Sequence, residues 1–161
     1  TFQSLLECAN IRSELKRTGV VRRYARIIAD GGLKNPGDIV KALAVGADAV
    51  MLGSMLAGTS ACPGLSSYDA DDNHVVAYRG MSSTEAQEEW RGRAAAPEGI
   101  AVNIPYRGDI FPVLDDMIDH IKSGLSYSGA FHIPELQDRA VFVRQSVLSQ
   151  RESGTHIHNV I

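Results

Sequence analysis

The stretch Ile27-Ile28-Ala29-Asp30-Gly31-Gly32-Leu33-Lys34-Asn35-Pro36-Gly37-Asp38-Ile39-Val40-Lys41-Ala42-Leu43-Ala44-Val45-Gly46-Ala47-Asp48-Ala49-Val50-Met51-Leu52-Gly53-Ser54 holds two short apolar runs, each ending at glycine, with one helical segment between them. The first run, Ile27-Ile28-Ala29, stops at Asp30-Gly31-Gly32, where backbone amides free of side chains can approach an anion closely. A helix follows: Asn35 suits its N-cap, Pro36 its first position, and Ile39, Val40, Leu43 and Ala44 recur at helical spacing before Gly46 ends it. The second run, Ala49-Val50-Met51-Leu52, ends at Gly53-Ser54.

Strand, helix, strand at this spacing describes a right-handed crossover in a parallel sheet, and parallel sheets carry their sites at the carboxyl ends of the strands. Both glycine exits therefore face the same edge. In (β/α)8 barrels the loops after the last two strands commonly bind phosphate. Either glycine pair alone also fits an ordinary tight turn; the two together at this spacing favour a shared anion grip.

The chain has 161 residues, enough for one domain, whereas a (β/α)8 barrel typically takes about 250. Its hydrophobic content of 44% is ordinary for a globular protein, no apolar run approaches membrane-spanning length, and no leader sequence is expected at the start. Two cysteines without framework spacing suggest a reducing, cytoplasmic setting, and a formal net charge of −3 gives no case for nucleic-acid binding. Anion recognition must then be local.

Downstream, residues 66–73 are polar and acidic and suit a hairpin tip before His74-Val75-Val76-Ala77-Tyr78. Ser82-Ser83-Thr84-Glu85 has the pattern of a capping box, with Trp90 anchoring the helix that follows. Arg91-Gly92-Arg93-Ala94-Ala95-Ala96 has no strong fold signal and suits a mobile flap. Asp109 can cap a helix with the apolar stripe Ile110, Val113, Leu114, Met117, Ile118 and Ile121, which Ser123-Gly124 would end. Arg139-Ala140-Val141-Phe142-Val143-Arg144 has the composition of a strand. Cys8, on a segment whose packed face would be Leu5, Leu6, Ala9 and Leu15, is expected to be a buried small hydrophobe, and Cys62 to be incidental. His156 and His158 form no metal pair without a third ligand.

The segment 28–54, together with Tyr78-Arg79-Gly80-Met81-Ser82-Ser83, Pro97-Glu98-Gly99-Ile100, Pro105-Tyr106-Arg107-Gly108 and Ser123-Gly124-Leu125-Ser126-Tyr127-Ser128-Gly129-Ala130, closely resembles the carboxy-terminal part of the IMP dehydrogenase/GMP reductase family. The blocks occur in the family's order and span nearly the whole chain. The resemblance implies an α/β fold, the C-terminal portion of a (β/α)8 TIM barrel formed by residues 1–161, with a flap inserted after the last strand at about 80–106 and a polar tail at about 148–161. It implies that Asp30 binds ribose hydroxyls, that the amides around Gly31, Gly32, Gly53 and Ser54 hold the 5′-phosphate with help from Tyr78, and that Gly80, Met81, Ser82 and Gly99 run along the purine. Glu98 would be the catalytic carboxylate of a proton relay, since a carboxylate withdrawn from water beside a purine can hold and hand on a proton.

Within that family the choice of activity turns on water. IMP dehydrogenases hydrolyse a covalent intermediate with a flap arginine and tyrosine, and between Gly80 and Pro105 this chain has Arg91 and Arg93 but no tyrosine. The pattern therefore leans to GMP reductase: NADPH-dependent conversion of GMP to IMP and ammonia through a cysteine-linked intermediate. The cysteine loop is expected upstream of Thr1, so the 161 residues alone are expected to be inactive. Against this choice, Ala95 stands where many reductases have a phosphate-binding arginine, and Pro97 to Ile100 followed by Pro105 to Gly108 is dehydrogenase-like. IMP dehydrogenase, oxidising IMP to XMP with NAD, stays as the alternative, and a catalytically dead nucleotide-binding fragment as another. The resemblance further implies a homotetramer, no nucleic-acid or membrane partner, and a potassium ion held by backbone carbonyls of Glu152, Ser153 and Gly154.

Overall fold

A computed structural model describes residues 2–20 and 25–153. In chain order the elements are α1 (Phe2–Arg17), β1 (Ile28–Asp30), α2 (Pro36–Val45), β2 (Ala49–Met51), β3 (Ser66–Tyr68), β4 (His74–Arg79), α3 (Thr84–Arg91), β5 (Ala101–Pro105), α4 (Ile110–Tyr127), α5 (Ile133–Arg139) and α6 (Val147–Glu152). Two sheets result: β1 and β2 lie parallel, with Asp30 opposite Met51, and β3-β4-β5 is antiparallel.

The crossover helix α2 is the centre of the body. Asn35 accepts a hydrogen bond from the Asp38 amide, Pro36 occupies the first turn, and Gly46 closes the helix at φ 125°, as the sequence predicts. One side of α2 meets α4 and α5 through Ile39, Leu43, Ala44, Met117, Ala130 and Leu136. The other side, with Ala42 and Val45, meets Leu5 of α1 and Ala29 of β1. Asp48, just before β2, ties this side together: it accepts from the Ile27 amide at 2.8 Å and pairs with Arg12 at 2.6 Å and Arg26 at 2.9 Å.

Several expectations are corrected. Helix α4 does not end at Ser123-Gly124 but runs to Tyr127, with Ser128 as its C-cap. Gly124 serves close approach instead, because a Cβ there would lie 2.7 Å from a Val40 methyl of α2. Residues 139–144 form no strand: Arg139 ends α5, and residues 140–144 pair with no strand among the described residues. Cys8 is exposed, since α1 buries only Leu5 and Ala9, and Leu15 is also exposed. Trp90 anchors nothing; it is 68% exposed, with the Arg91 guanidinium 4.6 Å above its ring. The α3 cap is Ser83, which accepts from the Ala86 amide, rather than a box between Ser82 and Glu85.

Within segment 80–106 the expected helix is present as α3, whereas the strand β5 is not anticipated from sequence. Ala101–Pro105 of β5 pairs with Arg79–Val75 of β4. The hairpin tip expected over 66–73 is confined to 69–73, because Ser66–Tyr68 pair with β4 as β3; within the tip Asp69 accepts from the Asp71 and Asn73 amides. The described residues contain no helix long and apolar enough to cross a membrane.

Candidate functional site

Parallel pairing of β1 and β2 brings the two glycine exits to one edge, about one strand spacing apart (~4.8 Å). Asp30 ends β1 and is exposed there. Gly31 and Gly32 then take φ 84° and 79°, left-handed values that a side chain would strain, and so turn the chain back toward Asn35. After β2 the chain coils into a short turn in which the Leu56 amide donates to Gly53 and the Ala57 amide to Ser54, at 3.0 and 3.2 Å. The amides that open such a turn have no acceptor within it and point away from its body.

Tyr78 joins this edge from the other sheet. A Cβ on Gly53 would stand 3.6 Å from the Tyr78 hydroxyl, so the phenol reaches the second exit. Asp30, Gly31, Gly32, Gly53, Ser54 and Tyr78 thus share one end of the molecule.

A second cluster begins two residues beyond Tyr78, about 7 Å along the strand direction. The Gly80 amide donates to Ile100 at 3.2 Å, and the Glu98 and Gly99 amides donate to the Ser82 carbonyl at 3.1 and 3.2 Å. Gly99 is required by contact: a Cβ would lie 2.5 Å from the Ser83 amide nitrogen. Gly80, Met81, Ser82, Glu98 and Gly99 are therefore held together, with Met81 73% exposed. Glu98 is exposed rather than partly buried, so in this structure nothing withdraws it from water.

Two residues not assigned a role from sequence hold these clusters. Gln87, buried on α3, donates to the Ser82 carbonyl at 3.0 Å and accepts from the Ala95 amide at 2.8 Å, fixing the segment that leads to Glu98. Its position one turn after Ser83, on the face that also carries Ala86, was the available signal. Arg107 donates to the Met55 carbonyl at 2.7 Å, and its amide donates to Gly58 at 2.7 Å. Glu152 and Ser153 close the exposed helix α6, while Gly154, His156 and His158 lie outside the described residues. Among the described residues no group of His, Cys, Asp and Glu side chains could hold a metal ion.

Two adjacent strand exits with glycine turns, met by a tyrosine hydroxyl and followed by a second backbone cluster, lie together on one edge of an α/β fold. Residues 3–156 match the IMP dehydrogenase / GMP reductase domain, and the chain belongs to that family. It is 40% identical over 165 residues to GMP reductase of Leishmania major, covering 96% of this chain and 32% of that protein. With inosine-5′-monophosphate dehydrogenase of Aquifex aeolicus the identity is 43% over 143 residues, covering 83% and 29%. The crystal structure of GMP reductase C318A from Trypanosoma brucei in complex with guanosine 5′-monophosphate is similar at a TM-score of 0.82 and 38% identity, over 98% of this chain and 32% of that one. The chain thus spans about a third of the length of these relatives.

Proposed function

We propose that this chain is the C-terminal portion of a (β/α)8 barrel and supplies the mononucleotide grip of a GMP reductase. The observation that carries the reading is the meeting of Gly53 and Tyr78 at the shared exit edge of β1 and β2, since it gives one phosphate two glycine turns and a hydroxyl. The exposure of Ile28 and Met51, both on the two-stranded sheet, supports further strands flanking it. Likeness to a protein crystallised with GMP supports a purine 5′-monophosphate as the ligand.

In this reading Asp30 accepts from the ribose hydroxyls, the amides near Gly31, Gly32, Gly53 and Ser54 hold the phosphate with Tyr78, and the Gly80 to Ser82 backbone lies along the purine with Gly99. Glu98 exchanges a proton with the purine edge as ammonia leaves C2, and closure over the base supplies the desolvation that its exposed side chain lacks here. The attacking cysteine belongs to a preceding glycine loop; Cys8 lies exposed on α1, and the Cys62 amide donates to Thr59 beyond the second exit's turn. NADPH supplies the hydride, and no described residue is assigned to hold it. The reading takes from the resemblance a cytoplasmic homotetramer and a potassium ion at the carbonyls of residues 152–154, a donor set that suits a hard cation.

IMP dehydrogenase is the second reading, favoured by the comparable identity to a dehydrogenase. Assay of the full-length enzyme distinguishes them: GMP-dependent loss of NADPH supports the reductase, and NADH formed from IMP and NAD reverses the order. Tight GMP binding with neither turnover would identify a dead nucleotide-binding module.

A further inference from the structure

We propose that Arg107 is a positioning residue for the phosphate turn, straining nothing itself but fixing residues 53–58 so that their opening amides converge on one oxygen cluster. The inference rests on the nucleotide reading above and adds to it a residue outside both backbone clusters.

Arg107 lies just beyond β5 and reaches back across the chain. Its side chain donates to the carbonyl of Met55, and its own amide donates to the carbonyl of Gly58, each at 2.7 Å. The strap continues on both sides: the Ser60 amide donates to Gly108 at 2.8 Å, Thr59 bridges Gly108 in parallel, and the Tyr106 amide donates to His74 at 2.9 Å. Gly58 admits this contact only because it lacks a side chain, since a Cβ there would sit 2.5 Å from the Pro105 carbonyl oxygen. Beneath it Thr59 is 2% exposed and its hydroxyl donates to Leu56 at 2.9 Å.

The turn is thus pinned at Met55 by one exposed guanidinium and from Gly58 onward by backbone. Met55 is the residue next to Ser54, so the Arg107 side chain ties the turn to the β5 side one residue from the proposed phosphate amides. Arg107 and Ser54 also share the wall of a cavity of about 300 Å³, with Lys34 and Asp116 on the same wall. At its other end β5 begins just after Glu98 and Gly99, so one strand links the phosphate turn to the base-edge cluster.

The test uses the full-length enzyme and its Arg107→Met and Arg107→Lys variants, titrated with GMP and with guanosine, while amide exchange over residues 53–60 is followed by mass spectrometry. Arg107→Met keeps the stem and removes the donor. It is expected to weaken GMP about fivefold, leave guanosine within about twofold, and speed exchange over 53–60, a loss of the size of one solvent-exposed hydrogen bond. Arg107→Lys, which still donates to Met55, restores GMP affinity to within about twofold. Equal loss of GMP and guanosine, or unchanged exchange with GMP affinity lost, would overturn the positioning role. If the unsubstituted enzyme does not prefer GMP over guanosine, the nucleotide reading falls instead, a result the exchange data keep distinct.

Discussion

The α2-centred body and the β3-β4-β5 arm are built in opposite ways, although each carries half of the proposed site. In the body, Ala29, Ile39 and Leu136 are exposed by no more than 1%. In the arm, Ile100, Val102 and Trp90 are exposed by 68, 43 and 68%, burial is confined to a few residues such as Val75, Val76 and Ala86, and ladder bonds and the Ser82 carbonyl with its donors Gln87, Glu98 and Gly99 supply most of the order. The proposed phosphate exits are therefore mounted on packed helices, whereas the proposed base edge is held largely by backbone hydrogen bonds near solvent. A grip that must stay fixed is placed where packing is dense, and a reader that must close over a base is placed where local opening costs less.

The largest effect should come from breaking the body. Leu136→Ala removes a fully buried side chain from the joint of α2, α4 and α5 and is expected to cost about 2–5 kcal/mol in denaturant unfolding. The matching arm substitution, Val102→Ala, should cost less than about 1 kcal/mol. Equal losses would erase the distinction between the two regions.

Gly99→Ala acts on the arm alone. Its Cβ would meet backbone 2.5 Å away, which cannot yield as a flexible side chain would, so about 1–3 kcal/mol of strain must be relieved by parting segments 82–83 and 98–99. Faster amide exchange over 94–100, with β1 and α2 unchanged, is the expected signature. Gln87→Leu should give a weaker version, about 1–2 kcal/mol, because the Ala95 amide and the buried carboxamide partners lose each other.

Acid probes the body next. Burial raises the Asp48 carboxyl, but the Ile27 amide and the guanidinium groups of Arg26 and Arg12 outweigh it and leave the group below its usual value. A carboxylate lowered in the folded state stabilises at pH values above its unfolded pKa of about 3.9 and loses that contribution as pH falls through its folded value. Asp48→Asn should therefore cost about 1–2 kcal/mol at pH 7, with the difference from the unsubstituted protein shrinking below about pH 4. A constant difference across that range would assign the effect to packing.

What the sequence made legible follows the same division. β1, α2, β2 and α4 announce themselves through periodic apolar residues and local caps, Asn35 and Asp109 among them, because their order is set by neighbours in the chain. β5 does not, since Asn103 and Pro105 are poor strand formers and its partner β4 lies across the whole of α3. Gln87 and Arg107 resemble solvated polar residues until tertiary structure supplies the carbonyls they meet. The reverse error, a strand at 139–144, comes from β-branched composition where no partner strand stands ready among the described residues. Gly31 and Gly32 turn the chain at positive φ, as a local sequence pattern can signal, whereas Gly124 looks like a helix stop until its contact with Val40 decides its use.

Trp90→Ala is the smallest expected effect and the sharpest test of the arm's exposure. An aromatic of this size costs about 3–5 kcal/mol when removed from a core, yet here it touches mainly the Arg91 guanidinium, a contact worth about 0.5–1 kcal/mol at an exposed site. Thermal unfolding of the variant should shift by no more than a change of about 0.5 kcal/mol would give. A shift several times larger would mean that the outer face of α3 is covered in the assembled protein. The arm would then be a packed region whose other half is contributed from beyond these residues, and its contrast with the body would belong to this chain rather than to the complete molecule.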